Sequence, residues 1–230
     1  MKPLHKVIVQ KKTSLNPIWI MRQAGRYLPE FREIRKDNPN FIDLCLNEKL
    51  SAKITLQPMD RFDLDAAIIF SDILILPYAL GQKVEFEKNF GPKLGELNLD
   101  EIDKLDDTDF VKKIHPVYKA IKRVSSNDKL KNKNTIGFVG APWTLLVYMI
   151  NQKSPKSNLK KDFFNDQFLI KRILLIIEKF LKVHIKNQID NGANIIQIFD
   201  SWAGLLGEKD LPSYIYTPTL NLVNYIKSLN

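Results

Sequence analysis

The sequence predicts an α/β fold, a mainly parallel sheet covered by helices, and a (β/α)8 barrel is the architecture that suits it best. Three observations lead there. Short apolar runs of strand length alternate with longer segments of helical period. Neither Gly-x-Gly-x-x-Gly nor Gly-x-x-x-x-Gly-Lys occurs, so dinucleotide-binding and P-loop folds lack their fingerprints. The 230 residues, with no internal repeat and no Gly/Ser or Pro linker, suit one barrel domain spanning 1–230.

Pro17-Ile18-Trp19-Ile20-Met21 reads as a short buried strand. Asn47 is placed to cap a helix running through Leu50, Ile54 and Met59. Ala66 to Phe70 is a second strand, apolar throughout and so expected to be buried on both faces. Ile75 to Leu80 suits a short helix stopped by Gly81, and Val84 and Phe86 alternate with charges before the turn Asn89-Phe90-Gly91-Pro92, the pattern of a hairpin. Asp109 to Val124 reads as helix with a kink or break at Pro116. Ile136 to Gly140 is a third strand, its glycines marking close approach of backbone or ligand. Leu169 to Ile189 carries an apolar stripe at helical spacing and ends at Asn191-Gly192 in the manner of a left-handed cap. Ile195 to Phe199 is a fourth strand, and Thr217-Pro218 opens a last helix with threonine as its cap. About four strands are thus in view, where a closed barrel needs eight.

Apolar residues make up 44% and charged residues 27%, the composition of a globular protein rather than a disordered one. The one cysteine, Cys45, excludes an internal disulfide and suits a reducing cytoplasm. No apolar run has membrane-spanning length, and no secretory signal is visible at the N-terminus. The net charge of +9 fits a Lys-rich solvated surface or an anionic small-molecule ligand. It fits nucleic acid less well, because the lysines are spread along the chain.

Polar residues follow the apolar strands, where α/β proteins place their sites. Arg22 and Arg26, four apart, would share a face of a helical turn and form a fork for carboxylates, with Gly25 letting backbone pass close to a ligand. Two solvated surface arginines are the competing reading. Ser71-Asp72 after the second strand offers a carboxylate for catalysis or ligand binding, or else a cap for the next helix. Asp200-Ser201-Trp202 after the fourth strand repeats that arrangement and its ambiguity. Tyr148 beyond Gly140-Ala141-Pro142-Trp143-Thr144 suits the core as well as a site. His5, His115, His184 and Cys45 show no metal-ligand spacing, and His184 lies on an apolar stripe, as a core histidine would.

Taken together, these segments resemble the uroporphyrinogen decarboxylase family. Pro17 to Arg26, continued by Tyr27-Leu28-Pro29-Glu30-Phe31-Arg32, looks like that family's first signature. Gly137 to Tyr148 looks like its second, departing from the pattern at Asn151-Gln152. Ile69 to Leu74 and Phe199 to Gly204 match further family segments. The resemblance implies a (β/α)8 TIM-type barrel, C-terminally truncated here so that only about the first half is present. It also implies a cytoplasmic homodimer working without metal or organic cofactor, and contacts with neither nucleic acid nor membrane. The family's Gly-rich segment with an active-site histidine has no counterpart in this sequence.

The substrate implied is a porphyrinogen whose four acetate side chains lose carbon dioxide and become methyl groups, giving coproporphyrinogen. By that resemblance Arg22, Arg26 and Arg35 hold carboxylates, and Asp72, an acceptor-only group when ionised, meets the pyrrole N–H groups. Asp72 and Arg22 are the catalytic candidates. Tyr148 and Ser201 would bind carboxylates by donating their hydroxyls. Two rivals stand beside this reading. Cobamide-dependent methyltransferases share the barrel family but bind zinc through cysteine and histidine late in the chain. A half-barrel with an unpaired edge at Ile195 to Phe199 would instead be inactive or dependent on a partner.

Overall fold

The computed structural model describes residues 1–11, 14–87, 90–156, 158–160 and 162–229. Four helices come first: α1 (Pro3–Gln10), α2 (Pro29–Asp37), α3 (Phe41–Cys45) and α4 (Glu48–Arg61). Strand β1 (Ala66–Ile68), helix α5 (Ile75–Ala79), the hairpin strands β2 (Val84–Glu87) and β3 (Gly91–Leu94), α6 (Leu99–Asp103) and α7 (Asp107–Ser125) follow. The rest is β4 (Asn134–Gly140), α8 (Pro142–Asn151), α9 (Gln167–Asp190), β5 (Ile195–Phe199) and α10 (Thr217–Ser228). The chain divides into two compact units. One holds Met1–Asp72, Ile114–Phe138 and Asn187–Gln197; the other holds Ile73–Lys113, Val139–Lys186 and Ile198–Asn230.

The main sheet has the order β1-β4-β5. β1 and β4 are parallel, with Ala66 opposite Asn134 and Ile68 opposite Ile136. Both are buried at every residue, as continuous apolar runs require, whereas β5 is half-buried along its whole length. These three strands do not close a barrel among the described residues. Gly137 meets a physical need in β4. Gln188 reaches the strand and brackets Phe138, accepting from its N–H at 2.9 Å and donating to its C=O at 3.0 Å. A Cβ at Gly137 would lie 2.4 Å from the Gln188 oxygen.

In the first unit, Leu28, Phe31, Leu44 and Ile54 form a core cluster with Phe70 packed against it. Phe70 meets Phe31 and Phe41 edge-on, each at 5.7 Å between ring centres. Asn47 caps α4 as its position predicts, its side chain accepting from Lys49 N at 3.2 Å and Leu50 N at 3.0 Å. Gly192, with φ +108°, makes the left-handed cap expected after α9. In the second unit, Trp143 is fully buried and packs against Phe163, Phe164 and Tyr214. His184 is a core residue, and burial pulls its pKa down to about 3. β2 and β3 form the antiparallel hairpin, although Asn89 of its expected turn lies outside the described residues.

Three local expectations fail, each for a physical reason, and at Pro116 the expected helix forms without a break. Pro17 to Met21 forms no strand, and Ile18, Ile20 and Met21 are more than half exposed. A strand needs a row of partners, and among the described residues Ile18 pairs with Asp65 alone, whose carboxylate accepts from Ile18 N at 2.7 Å and whose N–H donates to Ile18 O at 2.9 Å. Arg22 and Arg26 lie on successive turns rather than one helix, so the spacing of four does not give them a common face. Pro116 neither ends nor splits α7, which runs on to Ser125. Thr217 is helical at φ −63° and follows a π-helical turn over Pro212–Tyr216, so it is not a cap.

Candidate active site

The first unit carries Arg22, Arg26, Arg35 and Asp72; the second carries Tyr148 and Ser201. Gln23 shapes the arginine turn. It is buried, its Nε2 donates to Ala66 O of β1 at 3.0 Å, and its Oε1 accepts from Ile20 N at 3.3 Å. The Tyr27 hydroxyl donates back to Gln23 O, and Leu28 N donates to Gly25 O at 3.0 Å. Arg22 and Arg26 on either side are exposed. Gly25 has ordinary φ and room for a Cβ, whose nearest neighbour would be Tyr27 at 3.9 Å, so nothing in the fold itself demands glycine there.

Arg35, near the end of α2, is half-buried and fixed in direction. It donates to Asn38 O, and its guanidinium lies 5.5 Å from the centre of the Phe41 ring. Burial lowers its pKa, and the like charge of Arg26 lowers it further, so the two guanidiniums feel each other's charge. Among the described residues, none of Arg22, Arg26 and Arg35 makes an ion pair. Adjacent guanidiniums without carboxylate partners attract an anion. Arg32 is different: its Nη1 donates to Arg26 O at 2.9 Å and Tyr27 O at 3.2 Å, which makes it a brace for the turn.

Asp72 follows β1 through a clamped segment. Thr55 Oγ1 accepts from Phe70 N at 2.8 Å and donates to Ser51 O at 2.8 Å, while Ser51 Oγ donates to Phe70 O at 2.6 Å. Helix α5 takes Leu74 as its N-cap, so neither Ser71 nor Asp72 holds the capping position. Cys45 is fully buried in the same neighbourhood. Burial pushes its thiol well above the ordinary value, the Asp72 carboxylate pushes the same way, and Arg35 opposes them. Cys45 therefore feels both Arg35 and Asp72, and Arg35 in turn feels Arg26. Spacing along the chain does not connect Cys45 with Arg35 and Asp72, because their interaction arises only in the fold.

In the second unit, Tyr148 is half-buried on α8, its ring edge-on to Trp202 at 5.9 Å. Ser201 is exposed. The backbone around it is tied to Thr144, whose Oγ1 accepts from Ser201 N at 2.9 Å and Trp202 N at 3.2 Å and donates to Asp200 Oδ1 at 2.7 Å. Burial raises the Asp200 pKa, while the Thr144 hydrogen bond and a backbone bond from Trp202 oppose the rise. A threonine in the first turn of a helix gives no signal for such a role.

Two cavities in the first unit lie apart from these residues. One of about 310 Å³ is lined by Lys53, Gln57 and Lys129 among others, and one of about 500 Å³ by Leu4, Ile8 and Trp19 among others. Among the described residues, no group of three or more His, Cys, Asp or Glu is placed to hold a metal ion, and no helix is long and apolar enough to cross a membrane.

The sequence model "Uroporphyrinogen decarboxylase (URO-D)" matches residues 1–230. The chain belongs to the uroporphyrinogen decarboxylase family. It is 43% identical over 224 residues to a uroporphyrinogen decarboxylase of Campylobacter jejuni, covering 95% of this chain and 65% of that one. The counterpart from Agrobacterium fabrum is 40% identical, with 96% and 65% covered, and that from Rickettsia bellii 42%, with 92% and 62% covered. The chain thus spans about 65% of the length of these decarboxylases. Among solved structures, a methyltransferase from Methanosarcina mazei superposes with a TM-score of 0.65 at 17% identity, over 86% of this chain and 59% of that one. At that identity the likeness is one of fold alone, and it agrees with the α/β character and parallel strand pairing of this chain.

Proposed function

We propose that this chain acts in the cofactor-independent decarboxylation of uroporphyrinogen, converting its four acetate side chains to methyl groups and giving coproporphyrinogen. The support for the reading is the group of residues after β1, where Arg35 and Asp72 both act electrostatically on the buried Cys45, Arg26 acts on Arg35, and neither arginine makes an ion pair among the described residues. That charge pattern suits a polyanion whose centre presents N–H donors. Arg22, Arg26 and Arg35 hold substrate carboxylates, and Asp72 accepts hydrogen bonds from pyrrole N–H groups. Tyr148 and Ser201 donate hydroxyls to further carboxylates. In the same proposal, residues 1–230 act as one domain of (β/α)8 type in a cytoplasmic homodimer.

Decarboxylation must place an electron pair. Protonating the pyrrole carbon next to the one that bears the acetate makes a cationic ring, with the positive charge shared by the acetate-bearing carbon. The bond to the carboxylate then breaks, carbon dioxide leaves, and its bonding pair moves into the ring. Proton shifts complete the methyl group, so each turn consumes one proton and releases one carbon dioxide. Asp72 beside the ring stabilises the developing positive charge, which is preorganised electrostatics with the sign of an oxyanion hole reversed. Arg22 positions the substrate. The test incubates the full chain with uroporphyrinogen under reducing conditions and separates the products by carboxyl number. Stepwise appearance of hepta- to tetracarboxyl products is expected. A chain that neither forms them nor binds uroporphyrin, the stable oxidised octa-acid, would overturn the proposal.

A further inference from the structure

We infer that Thr144 and Asp200 are positioning residues that fix the direction of the Ser201 hydroxyl. The inference rests on the proposed function, in which Ser201 donates to a substrate carboxylate. A threonine hydroxyl has one donor and two acceptor lone pairs. Thr144 uses all three: it donates to Asp200 Oδ1 at 2.7 Å and accepts from Ser201 N at 2.9 Å and Trp202 N at 3.2 Å. Asp200 decides the sense of the group, since a proton committed to its carboxylate turns both Thr144 lone pairs toward the two amides.

The same segment is fastened on both sides. Ala141 N donates to Phe199 O at 2.8 Å, and Trp143 Nε1 donates to Trp202 O at 2.8 Å. Thr144 is fully buried while Ser201, between the fastenings, is exposed. The result is a fastened backbone that presents the exposed Ser201 side chain in one direction. The other Asp200 oxygen, Oδ2, is buried without a hydrogen-bond partner among the described residues, so the carboxylate faces inward to Thr144. The two buried bonds to amides also explain why a hydroxyl, rather than the methyl of a valine, stands at 144.

The test measures amide hydrogen exchange by NMR and uroporphyrin affinity by fluorescence titration, on the full chain. Thr144→Val should lower protection of the Ser201 and Trp202 amides about tenfold or more, the scale of a lost buried hydrogen bond, while α8 amides keep theirs. Thr144→Ser and Asp200→Asn keep the donor and the acceptor and should retain protection; Asp200→Ala should resemble Thr144→Val. Uroporphyrin should bind about tenfold more weakly to Thr144→Val and to Ser201→Ala, with the double variant no weaker than Ser201→Ala alone. Unchanged exchange in Thr144→Val overturns the inference, as does an additive double variant. If the unaltered chain does not bind uroporphyrin, the proposed function fails instead, and the exchange of Ser201 and Trp202 still decides whether Thr144 holds them.

Discussion

The segments after β1 and after β5 look alike in sequence: an apolar run, then an acid and a serine side by side. They are held in different ways. After β1, Ser51 and Thr55 of α4 grip the backbone of Phe70, and the bonds of that clamp do not use the Asp72 carboxylate. After β5, one hydroxyl, Thr144, takes the Asp200 carboxylate together with two amides. The first arrangement spends side chains on backbone and leaves the acid within electrostatic reach of Cys45; the second spends the acid on structure and presents the serine. An acid that follows a buried strand is thus assigned to chemistry or to architecture by its neighbours, not by its position.

The comparison can be broken most readily at the β1 clamp. Thr55→Val removes both bonds of a fully buried hydroxyl and leaves Phe70 N without its acceptor, so the chain should lose about 1–3 kcal/mol, read from the urea midpoint. A change below a few tenths of a kcal/mol would mean the clamp is idle. Next in size is the arginine pair. Arg35→Ala should weaken uroporphyrin binding about tenfold, less at high salt, while Lys36→Ala leaves it unchanged. Equal effects would reduce Arg35 to surface charge. Arg32→Ala is no neutral control, because Arg32 braces the carbonyls of Arg26 and Tyr27.

The smallest effect concerns pH. Burial raises Asp200 in the fold above its ordinary 3.8. A raised carboxyl favours the protonated fold, so its contribution is present below that value and is lost as pH climbs through the raised one. Asp200→Asn should flatten the pH dependence of the urea midpoint in that window. His184 acts in the opposite sense: its pKa falls from 6.5 to about 3, so stability held above 6.5 is lost as pH drops toward 3. A pH profile left intact by Asp200→Asn would show that the carboxylate is not desolvated.

What was legible in the sequence was local. Asn47 as a cap, Gly192 as a left-handed stop, β4 and β5 as apolar runs and α9 as a striped helix follow from neighbours a few residues apart. The candidate site residues came from motif resemblance, and the hydrogen bonds that hold their backbone were not legible. Pro17 to Met21 has the residues of a strand, but among the described residues Ile18 pairs with Asp65 and Ile20 turns back onto Gln23, and no strand runs alongside. Gln23 hooks the arginine turn to Ala66, 43 residues away, which the spacing of Arg22 and Arg26 does not reveal. Thr144 reaches residues 56 to 58 positions on. Contacts at such separations depend on the sheet order β1-β4-β5, which periodicity alone does not give.

The contrast between the two acids is tested most directly by measuring coproporphyrinogen formation and urea midpoints for Asp72→Asn and Asp200→Asn side by side. Asp72→Asn should lose about 100-fold or more in turnover with its fold intact, the loss typical of a preorganised charge facing the transition state. Asp200→Asn, which keeps an acceptor for Thr144, should turn over within about threefold of the unaltered chain. Near-normal turnover by Asp72→Asn, or equal loss in a folded Asp200→Asn, would contradict the assignment of chemistry to one acid and architecture to the other.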